Sequence, residues 1–230
     1  MAAVSTWLAT LGGSGWVTNE PAPGVAPYAS VFTWATLPAA SAVPKWAVYV
    51  SNVGVGGSFW YSDGTRWRPY GGSVTLKNLI TPISNNGAPK IVMDSVALPA
   101  GLLGDGDLLR ITYQKQRLGG TADTDATDIM LGTVAATLGT STGLITSALA
   151  TTTIEINVRA ELRKDSATAL RPLSLIGSVG FGAATAAGTA ATVPNMNTQQ
   201  TFLQITSDLT TAGGEVAWLT GFNVEMVAGS

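Results

Sequence analysis

The groups best equipped for chemistry in this 230-residue chain are carboxylates, and they gather in two short stretches: "GDGD", with Asp105 and Asp107, and "TADTDATD", with Asp123, Asp125 and Asp128. Calcium takes roughly six to eight oxygen ligands, and alternating Asp could supply several from one loop. The spacing departs from an EF-hand loop, because Asp128 stands where the sharp-turn Gly belongs and Val134 where the bidentate Glu belongs. The pattern therefore favours solvated turns, in which an Asp side chain bonds its own backbone. Asp123, Asp125 and Asp128 remain the calcium candidate; no resident metal or cofactor is expected.

A second cluster lies in "SNVGVGGSFWYSDGTRWRPYGG", residues 51–72, which packs Gly54, Gly56 and Gly57 ahead of five aromatics and two arginines. Exposed Trp and Tyr beside Arg66 and Arg68 could stack on sugar rings or on a partner's surface. The other reading is structural: Trp46, Tyr49, Trp60, Tyr61 and Trp67 could be the core of a unit too small to be filled by aliphatics. Alternation along a strand would put some rings inside and others outside, so both readings stay open.

Most enzyme chemistry is removed by composition. The chain has no His, the commonest general base and transition-metal ligand, and no Cys, hence no thiolate nucleophile and no disulfide. Glycoside hydrolysis needs only two carboxylates. Yet no Asp or Glu pair sits beside aromatics in residues 74–230, where Trp218 is the only Trp, and Asp63 is taken up by a turn. The chain is expected not to be an enzyme. Its net charge of −2 and pI near 5.0 provide no field for nucleic acid or an anionic membrane. Residues 129–154 and 174–194 lack charge but are studded with Thr, Ser and Gly, so no membrane insertion is expected.

Only 11% of residues are charged, against roughly 25% in ordinary soluble domains, while the hydrophobic share of 46% is normal. Ala, Thr, Ser and Gly take the place of charge, which suggests surfaces covered by copies of the same chain. The N-terminus has no basic region and no long apolar run, so it does not read as a signal peptide.

Composition shifts abruptly near residue 73: six of the seven Trp and four of the five Tyr lie before it. Residues 1–45, with Pro21, Pro23, Pro27, Pro38 and Pro44, read as an extended leader. Residues 46–73 read as a small β-meander in which Asp63-Gly64 makes a two-residue type I′ hairpin turn. Residues 74–89 read as a linker. Residues 90–230 carry about eight strands separated by turn signals, and "TIEINVRAEL" alternates cleanly, with Ile154, Ile156, Val158 and Ala160 on one face. A period of two with one wet face marks antiparallel strands. The expected fold is all-β, an aromatic hairpin module followed by an antiparallel β-sandwich of jelly-roll type.

"WAVYVSNVGVGGSFWYSDGTRWRPYGGSVTL" resembles a small aromatic module of tail fibres and other virion-attachment proteins of double-stranded DNA phages. Gly54, Gly56, Gly57, Trp60, Asp63, Gly64 and Trp67 carry the likeness. "MDSVALPAGLLGDGDLLRITYQKQRLGGTADTDATDIMLG" and the closing "TGFNVEMV" resemble the trimeric jelly roll, of tumour-necrosis-factor-like shape, that caps many such fibres. The resemblance covers about residues 31–230. It implies a homotrimeric structural component of a virion, a short fibre or spike anchored by its N-terminus with the jelly-roll head facing outward, bound to tail, baseplate, collar or capsid proteins and open to attachment at a host surface glycan. The leader fits an anchor, since Trp7, Leu8, Leu11 and Trp16 are large apolar residues in a segment that cannot bury them alone. Two further readings are a carbohydrate-binding adhesin module and a capsid decoration protein on the head shell.

Overall fold

The computed structural model describes residues 31–87, 90–118, 125–149, 155–178, 190–209 and 215–229. The chain divides into two compact units, Met1–Val74 and Thr75–Ser230. All regular structure among the described residues is β-strand apart from two 3₁₀ turns, Trp34–Thr36 and Ala40–Ala42.

In the first unit, β1 (Val31–Phe32), β2 (Ala47–Val50), β3 (Ser58–Ser62) and β4 (Trp67–Pro69) form one sheet in that order. β1 runs parallel to β2, and the other two pairs are antiparallel. Alternation sends Val48, Val50, Trp60, Ser62 and Trp67 to a buried face. The 3₁₀ turns close over it. Trp34 meets Trp60 edge-on with ring centroids 4.9 Å apart, Trp67 Nε1 donates to the Pro38 carbonyl at 2.9 Å, and Ser62 Oγ donates to the Ala40 carbonyl at 2.7 Å. The unit thus recruits residues 31–45, which the sequence assigned to the leader, because the rings need a second layer.

The β3–β4 connection also differs from expectation. Gly64 has φ +94°, but Asp63 does not have positive φ, so this is not a type I′ turn. The loop spans Asp63 to Arg66, closed by the Asp63 amide donating to the Arg66 carbonyl at 3.1 Å. Asp63 Oδ1 accepts from the Thr65 amide, the Thr65 hydroxyl and the Arg66 amide at 2.6–2.8 Å. A carboxylate that gathers three donors organises a wider loop without left-handed backbone at its own position.

The second unit is a β-sandwich of two antiparallel sheets. One sheet has the order β10-β9-β14-β7, from β7 (Ile91–Leu98), β9 (Asp125–Gly132), β10 (Thr142–Leu149) and β14 (Thr201–Leu209). The other has the order β13-β12-β11-β8-β15-β5, from β5 (Ser73–Asn78), β8 (Leu108–Leu118), β11 (Glu155–Ser166), β12 (Ala169–Ser178), β13 (Ala191–Thr192) and β15 (Val216–Val227), with β6 (Ile83–Asn85) also pairing β15. Residues 74–89, read as a linker, therefore hold β5 and β6. Their polar, short character hid them, since "ISN" carries no readable alternation, and Asn85 is buried by bonding Ser207.

Alternation builds the core. Leu109, Ile111 and Tyr113 of β8, Ile156, Val158, Ala160 and Leu162 of β11, and Ala217 and Leu219 of β15 all point inward and are buried. A bulge between Leu219 and Gly221 shifts the register of β15 against β8, so that Phe222, Val224 and Met226 continue the inward face. The outer face of this sheet is charged: Arg110 bonds Glu161 at 3.1 Å and Glu225 at 2.9 Å, each its direct cross-strand neighbour.

Candidate functional site

The first unit carries its exposed apolar surface on one face of its sheet. Register places Tyr49 opposite Phe59 and Tyr61 opposite Arg68, and the Tyr70 amide continues the ladder by donating to the Phe59 carbonyl at 2.8 Å. Phe59 is 55% exposed, Tyr70 44% and Tyr61 36%, large values for rings. The Tyr49 and Phe59 rings pack edge to face at 5.2 Å. The Tyr49 hydroxyl donates to the Gly56 carbonyl, which ties the glycine loop to this face. Gly57, at φ +85°, lies so close that a Cβ there would overlap the Tyr49 hydroxyl. This is a physical reason for glycine in "GVGG".

A cation borders the rings. Arg68 Nε meets Asp63 Oδ2 at 2.5 Å, so the carboxylate that shapes the loop also orients the guanidinium. Burial alone would raise the Asp63 pKa. Hydrogen bonds from Thr65, Arg68 and the Arg66 amide outweigh it and hold the carboxyl well below the usual carboxylate range. Flat rings with an oriented guanidinium can stack on the apolar face of a sugar or on another protein's side chains.

The aromatic residues singled out in the sequence therefore divide. Trp60 and Trp67 are core, Trp46 and Tyr49 are half-buried, and Tyr61 is exposed. Arg66 is half-buried, and both its amide and its carbonyl belong to the Asp63–Gly64 loop. Phe59 and Tyr70 were not singled out; their parity with Tyr61 across β3 and β4 was the available signal. Trp7, Leu8, Leu11 and Trp16 of the expected anchor lie outside the described residues.

The carboxylate clusters of the second unit go to separate tasks. Asp123 lies outside the described residues. Asp125 and Asp128 are three apart on β9, hence on opposite faces, and each holds a lysine: Asp125 meets Lys115 at 2.6 Å and Asp128 meets Lys90. The structure does not bring these two together as a shared calcium site. Asp107 accepts from the Gly104 amide, the turn bond expected of "GDGD", and from the distant Gly229 amide, both at 2.7 Å, but it is buried rather than solvated because it also ties down the end of the last strand. Asp105 lies 3.1 Å from Lys164, whose ammonium also donates to the Leu103 carbonyl at 2.7 Å and Asn197 Oδ1 at 2.6 Å.

Between the two sheets lies a polar core that the sequence reading missed. Lys115 and Asp125 are both fully enclosed; Thr127 Oγ1 lies 2.8 Å from Lys115 Nζ, and Ser207 Oγ donates to Asp125 Oδ1 at 2.8 Å. Tyr113 and Ser147 hydroxyls bond at 2.5 Å, and Arg117 lies 3.8 Å from Glu215. Burial pushes the Tyr113 phenol above its ordinary range, with Asp125 and Asp128 adding to the shift against the Ser147 bond. Parity was the signal here too: Lys115 and Arg117 continue the series Leu109, Ile111, Tyr113 on the inward face of β8.

No protein-family model and no curated protein matches the chain. No helix among the described residues is long and apolar enough to cross a membrane.

Proposed function

We propose that the chain is a structural component of a phage virion, a short homotrimeric fibre or spike anchored by its N-terminal leader, with the sandwich as an outward jelly-roll head. The observation that carries this reading is the pairing of two different all-β units in one chain: a small aromatic sheet that leaves Phe59, Tyr61 and Tyr70 exposed, and an antiparallel sandwich with a charged outer sheet face. Exposed rings on a small sheet suit adhesion to a surface better than turnover. The low charge of the chain suits association about a threefold axis, where a stable interface would bury roughly 1,200–2,000 Å² per pair.

The test uses particles. Full chain added to virions lacking the native protein is expected to be incorporated and to be seen as threefold density in a cryo-EM map. A fragment starting at Ser73, which keeps β5 whole, is expected to sediment as a trimer but to stay off the particle. A monomer at micromolar concentration, or incorporation of the fragment as well as the full chain, would defeat the respective halves of the proposal. The adhesin reading is favoured by one observation, the guanidinium of Arg68 oriented beside exposed rings. Binding of a glycan array by the full chain, lost in Phe59→Ala and Tyr61→Ala, would put that reading ahead.

A further inference from the structure

Lys115 and Asp125 stand apart from every other ion pair described in this molecule, because both side chains are completely removed from solvent. They bridge the sandwich, Lys115 on β8 of one sheet and Asp125 on β9 of the other. We propose that Lys115 and Asp125 become joined by an intramolecular isopeptide bond between Lys115 Nζ and Asp125 Cγ, a covalent staple between the two sheets.

The distances fit. Nζ lies 2.6 Å from Oδ2. Since a carboxyl C–O bond is about 1.2 Å, Cγ lies within about 3.8 Å of the amine, close to near-attack range. The two carboxyl oxygens are also distinguished by their surroundings. Oδ1 accepts the Ser207 hydroxyl at 2.8 Å, and Asn85 Nδ2 donates to the same Ser207 oxygen at 3.3 Å, which directs the Ser207 proton toward Asp125. Oδ2 is buried with no donor other than the Lys115 ammonium itself. Ser207 therefore polarises Oδ1 as the carbonyl oxygen, and Oδ2 is the group free to leave.

The surroundings favour neutral reactants. A fully enclosed ion pair carries a large desolvation penalty, and passing one proton from ammonium to carboxylate removes both charges. Burial pushes the Lys115 ammonium below its ordinary pKa, against the opposing pull of Asp125, Asp128 and Asp208. The Nζ lone pair then attacks Asp125 Cγ, and the carbonyl pair moves onto Oδ1, held by the Ser207 hydroxyl. Collapse re-forms the carbonyl and breaks Cγ–Oδ2. Oδ2 departs as water, carrying its own proton and one from Nζ relayed by Thr127 Oγ1, which lies 2.8 Å from the amine. One amide forms, one water leaves, and no oxidant or reductant is involved.

Lys164 is the internal contrast. It is as enclosed, but its three donors serve Leu103, Asn197 and Asp105, and Asp105 is 65% exposed. Its neighbouring carboxylate stays solvated, and no bond is expected there.

The test is the mass of the purified full chain. The expected intact mass is lower than the sequence mass by one water, and a digest should yield a branched peptide joining the Lys115 and Asp125 segments. Lys115→Arg and Asp125→Ala should each show the full sequence mass, and Asp125→Asn should restore the branch with loss of ammonia instead. Wild-type protein that keeps its full sequence mass after prolonged incubation overturns the proposal, whether or not the variants fold. So does a water loss confined to a linear peptide at Asp125 and opened by hydroxylamine, which is a cyclic imide with the Ala126 amide.

Discussion

Residues 31–72 enclose Trp60 and Trp67 and satisfy both indoles and Ser62 with nearby hydroxyl and carbonyl groups. The sandwich instead encloses aliphatic side chains together with Lys115, Asp125, Arg117, Glu215 and Lys164. The difference follows from size. A small unit buries too little surface to offset the desolvation of a charge, so its ionic groups, Asp63 and Arg68, stay at its rim. A two-sheet core has enough apolar burial to carry enclosed charges, provided each has a partner. Large rings let the small unit gain burial with few residues, ~150–250 Å² each.

Removing a ring should break the comparison most sharply. Trp60 is fully buried, and Trp60→Ala is expected to cost about 3–5 kcal/mol, enough to unfold the small sheet outright. The sandwich should remain folded, its melting read by far-UV circular dichroism and its Trp218 emission retained. If both transitions disappear together, the two units do not fold separately and the contrast in materials loses its meaning.

The counterpart in the sandwich is Lys164→Met, a near-isosteric change that removes the ammonium and leaves the Leu103 carbonyl and Asn197 Oδ1 without this donor. Leu103 is buried, whereas Asn197 is exposed and can turn to water; one unsatisfied buried acceptor costs about 1–3 kcal/mol, so the unfolding free energy of the sandwich measured in urea should fall by about that amount with an unchanged slope. A variant as stable as the parent would mean that water replaces the ammonium and that the site is less enclosed than its side-chain exposure of 2% indicates.

Acid should loosen the small unit through Asp63. Its carboxyl is held below the unfolded value of about 3.9, so its contribution is fully present above that pH and is lost as pH falls through the folded value. Trp emission should therefore shift in the acid range, and Asp63→Asn, which keeps an acceptor at Oδ1 but removes the negative charge that faces Arg68, should flatten that dependence. The same acid shift in wild type and variant would mean that another carboxylate governs it.

The eight strands expected over residues 90–230 are all present, because long alternating segments such as "EINVRAEL" have their faces written into residue type. Short strands were not legible. β5 and β6 are held by pairing with β15, which no local pattern reveals, and the 3₁₀ turns at Trp34 and Ala40 exist because two indoles need cover. The Asp63 loop was misread for the same reason: dipeptide identity suggests a turn type, but here the side chain's donors decide it. The buried Lys115–Asp125 pair was legible in half. Parity places Lys115 inward, but its partner on the facing sheet depends on how the sheets stack, and Asp125 was read as a turn or calcium carboxylate.

The smallest effect should come from the charged face of the large sheet, and it decides what covers that face. Arg110 bridges Glu161 and Glu225, and its side chain is 34% exposed. Its bond to Glu161, set against burial, raises its pKa, and the same bond lowers that of Glu161. Partly solvated pairs of this kind are worth about 0.2–1 kcal/mol and weaken with salt. Arg110→Ala should therefore lower the unfolding free energy of the sandwich by no more than about 1 kcal/mol, with less effect in high salt, and should leave the sedimentation coefficient unchanged. A neighbouring chain packed on this face would change the outcome, because desolvated charges left without a partner cost about 3–5 kcal/mol. A large loss of stability together with dissociation would then place the proposed threefold contact on the charged sheet. The face covered by neighbouring copies would in that case be an ionic surface, contrary to the expectation drawn from the low charge of the chain.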